Sequence, residues 1–212
     1  FAGDFKNALD YYEKSTEIRQ RIRDRRGEAI GYLNIGILKF QIGELNTCLD
    51  YLYKSKEIME EVNDIRSTVT IYTSLGRVLL VIGSDEPARE DYCQALKIAE
   101  EKQDKLMLAE VLCGYGLYYL ALGNKVKALE SLRSAEPPIL EEGNRILMTE
   151  LYQGLAEFYL KDKDIKALKY AEDSLKLAQD FNTQRYEIDS FRVLGICQAI
   201  VAQDIDDSIR NI

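Results

Sequence analysis

The chain has 212 residues, 46% hydrophobic and 30% charged, a composition that supports a packed core and argues against disorder. Three prolines and thirteen glycines are too few for an all-β protein that turns every ten residues or so, which leaves long helices as the expected elements. A formal charge of -8 sets the chain against nucleic acid and anionic membranes, both of which are bound through basic surfaces.

From the N-terminus, "FAGDFKNAL" places a Gly3-Asp4-Phe5 corner before a helix over roughly Phe5 to Arg23. That helix ends in the basic run "RQRIRDRR", Arg19 to Arg26, which reads as a solvated helix end among acidic neighbours. A second helix carries Tyr32, Ile35 and Gly36 and stops at Gly43-Glu44-Leu45; a third carries Cys48, Leu52 and Ser55. The same succession returns with Tyr72, Leu75 and Gly76 before Gly83-Ser84-Asp85, then Ala88, Tyr92 and Ala95. It returns again with Leu112, Tyr115 and Gly116 before Gly123-Asn124-Lys125, then Ala128, Leu132 and Ala135. After a one-residue deletion in "KDKDIKAL" it continues with Tyr152, Leu155 and Ala156 and with Ala167, Ala171 and Ser174, and a last first helix carries Phe191, Leu194 and Gly195.

The four glycine corners at 3, 43, 83 and 123 lie 40 positions apart, so the repeat, not a phosphate loop, explains them. Offsets of one, three, four and seven around each small residue are helical offsets. Small residues at one spot of each helix let two backbones approach, and the bulky neighbour fills the space around the contact. Each unit is therefore expected to be two antiparallel helices joined by a glycine corner. Between units, Asp64, Asp104 and Asn144 stand where a short polar side chain caps the following helix, and the looser "AQDFNTQ" marks a further corner. Pro137 and Pro138 in "SAEPPILEEGNR" predict a kink or break near Ala135 to Pro138.

The aromatic, apolar-Gly, Gly-corner, Ala, Tyr, Ala pattern resembles the tetratricopeptide repeat in a 40-residue form, without the proline that usually ends the second helix. The resemblance runs over nearly the whole chain and implies an all-α fold, a right-handed α-solenoid of antiparallel helix pairs, with a concave groove lined by first helices. It divides a single solenoid domain, 1–212, into a partial repeat 1–27, full repeats 28–63, 64–103, 104–143 and 144–182, and a partial repeat 183–212. Neither end carries a polar capping helix, so the sequence reads as part of a longer protein, and the uncapped terminal helices offer a route to self-association.

The resemblance also implies binding of a protein or peptide partner in the groove. The groove positions are Ile30, Leu33, Asn34 and Ile37 in the first full repeat; Thr73, Arg77 and Leu80 in the second; Glu110, Cys113, Leu117 and Leu120 in the third; Glu150, Gln153 and Glu157 in the fourth; and Arg192 in the last, with Asp189 beside it. They grade from apolar to acidic along the chain, which suits a partner with apolar anchors and nearby Lys or Arg residues. The basic clamp by which related repeats hold a terminal carboxylate is not matched: Asn34 fits, but Thr70, Ser74, Glu110 and Glu150 do not.

Catalysis finds no parts. The chain has no histidine, no P-loop or nucleophile-elbow motif, and no metal-ligand spacing; acidic pairs such as Glu60-Glu61, Glu100-Glu101 and Glu141-Glu142 recur with the repeat. The reading is of a non-enzymatic scaffold without metal or cofactor. A second reading is a sensory or regulatory segment of a larger signalling protein, a transcription regulator, cyclase or kinase, acting on an output domain. Cys48, Cys93, Cys113 and Cys197 lie far apart and read as buried, reduced thiols, and with no membrane span or signal peptide the expected location is the cytoplasm.

Overall fold

A computed structural model of the chain describes residues 2–180, 187 and 190–200, with side chains from Phe5 onward. Asp189, most of the "AQDFNTQ" corner and residues 201–212 lie outside the described residues. The described chain is helical: α1 Ala2–Arg21, α2 Arg25–Gln41, α3 Leu45–Glu61, α4 Ile65–Val81, α5 Asp85–Lys102, α6 Lys105–Ala121, α7 Lys125–Glu142, α8 Arg145–Leu160 and α9 Lys166–Asp180. Residues 190–200 are also helical and are called α10. The fold is all-α among the described residues and divides into two compact units, Phe1–Gly114 and Tyr115–Ile212, the division falling inside α6.

Among the described residues the corners share one backbone device. A residue with positive φ stands at Arg23, Gly43, Asn63, Gly83, Gln103, Gly123, Gly143 and Lys163, so the corner recurs every 20 residues, half the interval that the glycines alone suggest. Glycine adopts this left-handed conformation at little cost, whereas Arg, Gln and Lys do so against a steric penalty of order 1 kcal/mol. At most of these corners the residue after it caps the next helix with its side chain, Glu44 and Ser84 being the exceptions. Asp64 Oδ1 accepts from the Ser67 N–H at 3.1 Å, Asp104 from Leu106 and Met107 at 2.9 Å, and Asn144 from Leu147 at 3.1 Å. Asp24 and Asn124 cap α2 and α7 in the same way, so the Asx cap opens helices on both sides of a pair.

In the first unit the pairs meet at their small residues. A Cβ on Gly36 would stand 3.1 Å from Leu52, and one on Gly76 would stand 2.7 Å from the Tyr92 ring, which also fills the space beside Gly114. Leu52 and Tyr92 are correspondingly buried, Leu52 in a core with Ala29, Cys48, Met59, Ile71, Leu75 and Val78. The buried Ser55 hydroxyl donates to the Ala29 carbonyl at 2.7 Å, joining the two helices of a pair.

The second unit repeats the arrangement. Gly116 would place a Cβ 2.6 Å from Leu132. Further along, Ala156, Ala167, Ala171, Val193 and Cys197 form the apolar centre.

Three expectations change. Gly3, Asp4 and Phe5, expected as a corner, lie within α1, which runs from Ala2. The break at Pro137 and Pro138 does not occur, since α7 continues through both to Glu142. The two prolines withdraw donors from the carbonyls of Arg133 and Ser134, both of which are exposed and open to water, while Ala135 and Ile139 hold the helix to the core on its other side. Cys93 is exposed, unlike Cys48, Cys113 and Cys197.

Candidate partner-binding face

In the first unit, Ile30, Leu33, Asn34 and Ile37 follow each other at three- and four-residue steps along α2, and all four are half-buried. On α4, Thr73, Arg77 and Leu80 do the same. The two helices are joined on this face by Arg77, whose guanidinium lies over the Phe40 ring at 5.6 Å, a cation-π contact that fixes the plane of the charge. The hydroxyls here are turned onto the backbone: Thr73 and Ser74 both donate to the Thr70 carbonyl, at 2.9 and 2.7 Å. What remains at the surface is aliphatic, with one cation and one amide. Glu110 and Cys113 on α6 are buried.

The second unit contains the other predicted positions, which differ in burial and partners. Leu117 is half-buried and Leu120 is buried. Gln153 belongs to the interior: its side-chain amide donates to Ser190 Oγ at 3.1 Å, which in turn lies 2.8 Å from Ser174 Oγ. Glu157 accepts from Arg192 at 2.9 Å, so two predicted groove residues of opposite charge meet each other. Glu150 is half-buried. The acidic character expected at this end is thus reduced by an internal ion pair, which sequence position alone does not reveal.

The basic run is absorbed into the fold. Arg19 donates to the Gly27 carbonyl, Arg25 pairs with Glu28 and Glu61 at 2.8 and 2.6 Å, and Arg26 pairs with Asp64 at 2.6 Å. The last of these recurs one repeat on as Arg66 with Asp104 at 3.4 Å. Exposed pairs of this kind contribute at most about 1 kcal/mol each, and they set register more than stability.

Two polar clusters escaped sequence reasoning. In the first unit, the Asp91 carboxylate is buried on α5 with Lys56 Nζ 3.8 Å away. Lys56 also lies 4.3 Å from the centre of the Tyr72 ring, and the Tyr72 hydroxyl donates to Glu60 at 2.8 Å. Burial pushes the Asp91 carboxyl up to about 6, with Lys56 opposing the shift and Glu90 and Glu60 adding to it. Burial, with Glu60, likewise pushes the Tyr72 phenol up. The available signal was the repeat itself, because position 91 carries Asp where the preceding copies have Tyr11 and Tyr51. In the second unit, Arg133 pairs with Glu136 at 2.7 Å and reaches the hydroxyls of Tyr159 and Tyr170, whose rings stack at 5.6 Å. These contacts, Glu136 first, hold its guanidinium further above its ordinary range.

Among the described residues no group of His, Cys, Asp and Glu could hold a metal ion, and no helix is long and apolar enough to cross a membrane. The tetratricopeptide repeat family matches residues 27–101, the stretch from α2 to α5. No curated protein matches the chain in sequence. Among solved structures, a Rap protein complexed with competence and sporulation factor is similar at 18% identity and a TM-score of 0.71, over 99% of this chain and 64% of that one. This chain therefore spans less than two thirds of that protein's length. The putatively named kinesin light chain repeats of Podosopora anserina match at 15% identity and a TM-score of 0.53, over 85% of this chain and 90% of that one. A signal transduction ATPase with a tetratricopeptide repeat sensor, from Pyrococcus horikoshii, matches at 17% identity and a TM-score of 0.50, over 93% of this chain and 30% of that one. At such identities the likeness is one of fold.

Proposed function

The chain is a tetratricopeptide-repeat protein, and on that premise we propose that it is a non-enzymatic interaction scaffold that binds a segment of another protein on its first-helix face. The observation that supports this most is the surface of α2 and α4, where Ile30, Leu33, Ile37 and Leu80 stay half-exposed around the Arg77–Phe40 stack. Aliphatic side chains left at a surface beside an oriented charge suit a segment that buries apolar anchors and orients itself by a polar contact. In the second unit, the half-buried Glu150 favours a partner residue of opposite charge, Lys or Arg. The Rap protein complexed with a factor is an example of a similar fold engaged with a partner.

A second reading takes its support from the ATPase similar in fold, whose repeats are a sensor. The chain spans 64% of the Rap protein and 30% of the ATPase that carries a repeat sensor. In that reading the solenoid is the sensing portion of a signalling protein, and partner binding changes the state of an attached domain.

A peptide array probed with the wild-type chain, Ile37→Asp and Glu150→Lys tests the proposal. Ile37→Asp should lose most binders with apolar anchors, and Glu150→Lys should selectively lose those that depend on Lys or Arg. Unchanged binding by Ile37→Asp would remove the first-helix face as the site. Unchanged selectivity of Glu150→Lys would remove the basic preference and leave the apolar reading intact.

A further inference from the structure

Two residues before each of the buried small residues Cys48, Ala88, Ala128 and Ala167 lies a corner position that is exposed in every copy. The first unit fills it with polar side chains, Asn46 and Glu86, and the second unit with Val126 and Ile165, which are 79% and 63% exposed. Packing does not ask for an aliphatic group there, since the same corner forms with Asn or Glu, and a β-branched residue gains nothing at a helix start. Leu122, 47% exposed, adds a third aliphatic side chain at the corner between α6 and α7. Clustered apolar groups of this kind mark a contact surface.

The charge of the corners changes at the same step. Residues 41–48 and 81–88 carry Glu44, Asp85 and Glu86 and no lysine or arginine. The corners of the second unit hold Lys125, Lys127, Lys161, Lys163 and Lys166 against Asp162 and Asp164, a net +3 in a chain whose net charge is -8. These two corners form one surface, because Lys125 pairs with Asp162 across 37 residues. Two of the lysines are held alike, one repeat apart: Lys127 Nζ lies 5.3 Å from the centre of the Tyr119 ring, and Lys166 Nζ 5.1 Å from that of Tyr159. Each directly follows an exposed aliphatic residue, so an aliphatic group beside a positioned ammonium occurs twice. In the first unit Lys39 and Leu79 stand in place of the tyrosines, and Thr47 and Pro87 in place of the lysines, so the device belongs to the second unit.

We propose that the corner edge of the second unit is a docking surface for an acidic, apolar segment of a partner protein, which sets carboxylates on Lys127 and Lys166 and apolar side chains on Leu122, Val126 and Ile165. A polyanion without apolar groups would leave three aliphatic side chains in water, and an uncharged apolar segment would leave the ammonium groups unanswered; a segment carrying both covers the whole surface. The site uses none of the first-helix positions and does not rest on them, and its sign is opposite to that of Glu150.

The test is an array of peptides that combine Asp or Glu with Leu, Ile or Phe, set beside the same peptides with Asn and Gln in place of the acids. The acidic set should bind the chain, the amide set should not, and added salt should weaken the binding. Val126→Asn with Ile165→Asn, which gives both corners the residue type of Asn46, should weaken the strongest binders by at least about tenfold in titration calorimetry. Its melting temperature should be unchanged, because both side chains are exposed. Lys127→Gln with Lys166→Gln should weaken binding similarly and remove much of its salt dependence. The proposal is overturned if no acidic peptide binds, if the amide set binds equally, or if the Val126→Asn, Ile165→Asn chain keeps full affinity. Capture of phosphatidylserine vesicles or single-stranded DNA where the peptides fail also overturns it, in favour of a phosphate ligand. A concentration-dependent mass that the same double variant abolishes overturns it in favour of a second copy of the chain. Peptides with Lys or Arg, which test Glu150, are absent from both sets, so the two readings fail separately.

Discussion

Replacing Asp91 by Asn should stabilise the protein at neutral pH and have progressively less effect as the solution is acidified. The carboxyl sits on α5 with its side chain 13% exposed, and burial raises it from an ordinary 3.8 to about 6 in the fold. A group whose folded value is raised contributes stability that is fully present below about 3.8, declines above it, and is lost as pH rises through about 6. The difference of roughly two units, at 1.36 kcal/mol each, puts the cost of the ionised form near 3 kcal/mol above that range. Lys56 at 3.8 Å offsets part of the burial and is already included in the shifted value, whereas Glu90 and Glu60 act against it. Asn is nearly isosteric and carries no charge, but buries an amide that needs its own partners, so a net gain of about 1–3 kcal/mol is expected at pH 8. Urea denaturation of both proteins from pH 5 to pH 8 measures it. The gain should grow through this interval and level off above about pH 7. A gain of the same size at every pH, or a loss at pH 8, would refute the assignment of a buried, costly charge.

Three further outcomes follow from the packing. Gly76→Ala, whose new methyl would stand 2.7 Å from the Tyr92 ring, should lower stability by about 1–3 kcal/mol in thermal melts. Pro137→Ala together with Pro138→Ala restores two donors to a helix that is already continuous, and should raise stability by at least about 1 kcal/mol, measured by the same melts. In a thiol-reagent titration the native protein should react quickly at Cys93 alone, since Cys48, Cys113 and Cys197 are buried and the Cys48 thiol is pushed up to about 12 by that burial. All four should react in denaturant.

The helix pairs were legible because their determinants are local and periodic. Gly36, Gly76 and Gly116 announce a close crossing, Asp64, Asp104 and Asn144 announce a cap, and each can be read without knowing what lies across the fold. The half-interval corners were announced by their Asx caps and not by glycine, because Arg23, Asn63 and Gln103 take the left-handed conformation that glycine takes at 43, 83 and 123. The binding face was legible only in part. Helical offsets place Ile30, Leu33 and Ile37 on one stripe, but they cannot show that Gln153 is drawn inward by Ser190 or that Glu157 is met by Arg192, because those partners lie 37 and 35 residues away. The proline pair misled for a related reason: whether a lost donor matters depends on water reaching Arg133 and Ser134, and exposure is a property of the assembled helices.

The uniform corner also bears on how such a chain can change length. If every turn of direction obeys the same backbone rule at a fixed spacing of 20 residues, a helix can be inserted or removed together with its corner without inventing a new connection. Two such steps restore the original direction and preserve every crossing, while a single step reverses the polarity of all that follows. Growth by pairs is then the only kind that leaves the existing contacts in place, and the 40-residue period is a consequence of that parity, written over a shorter rhythm that the helices already possess.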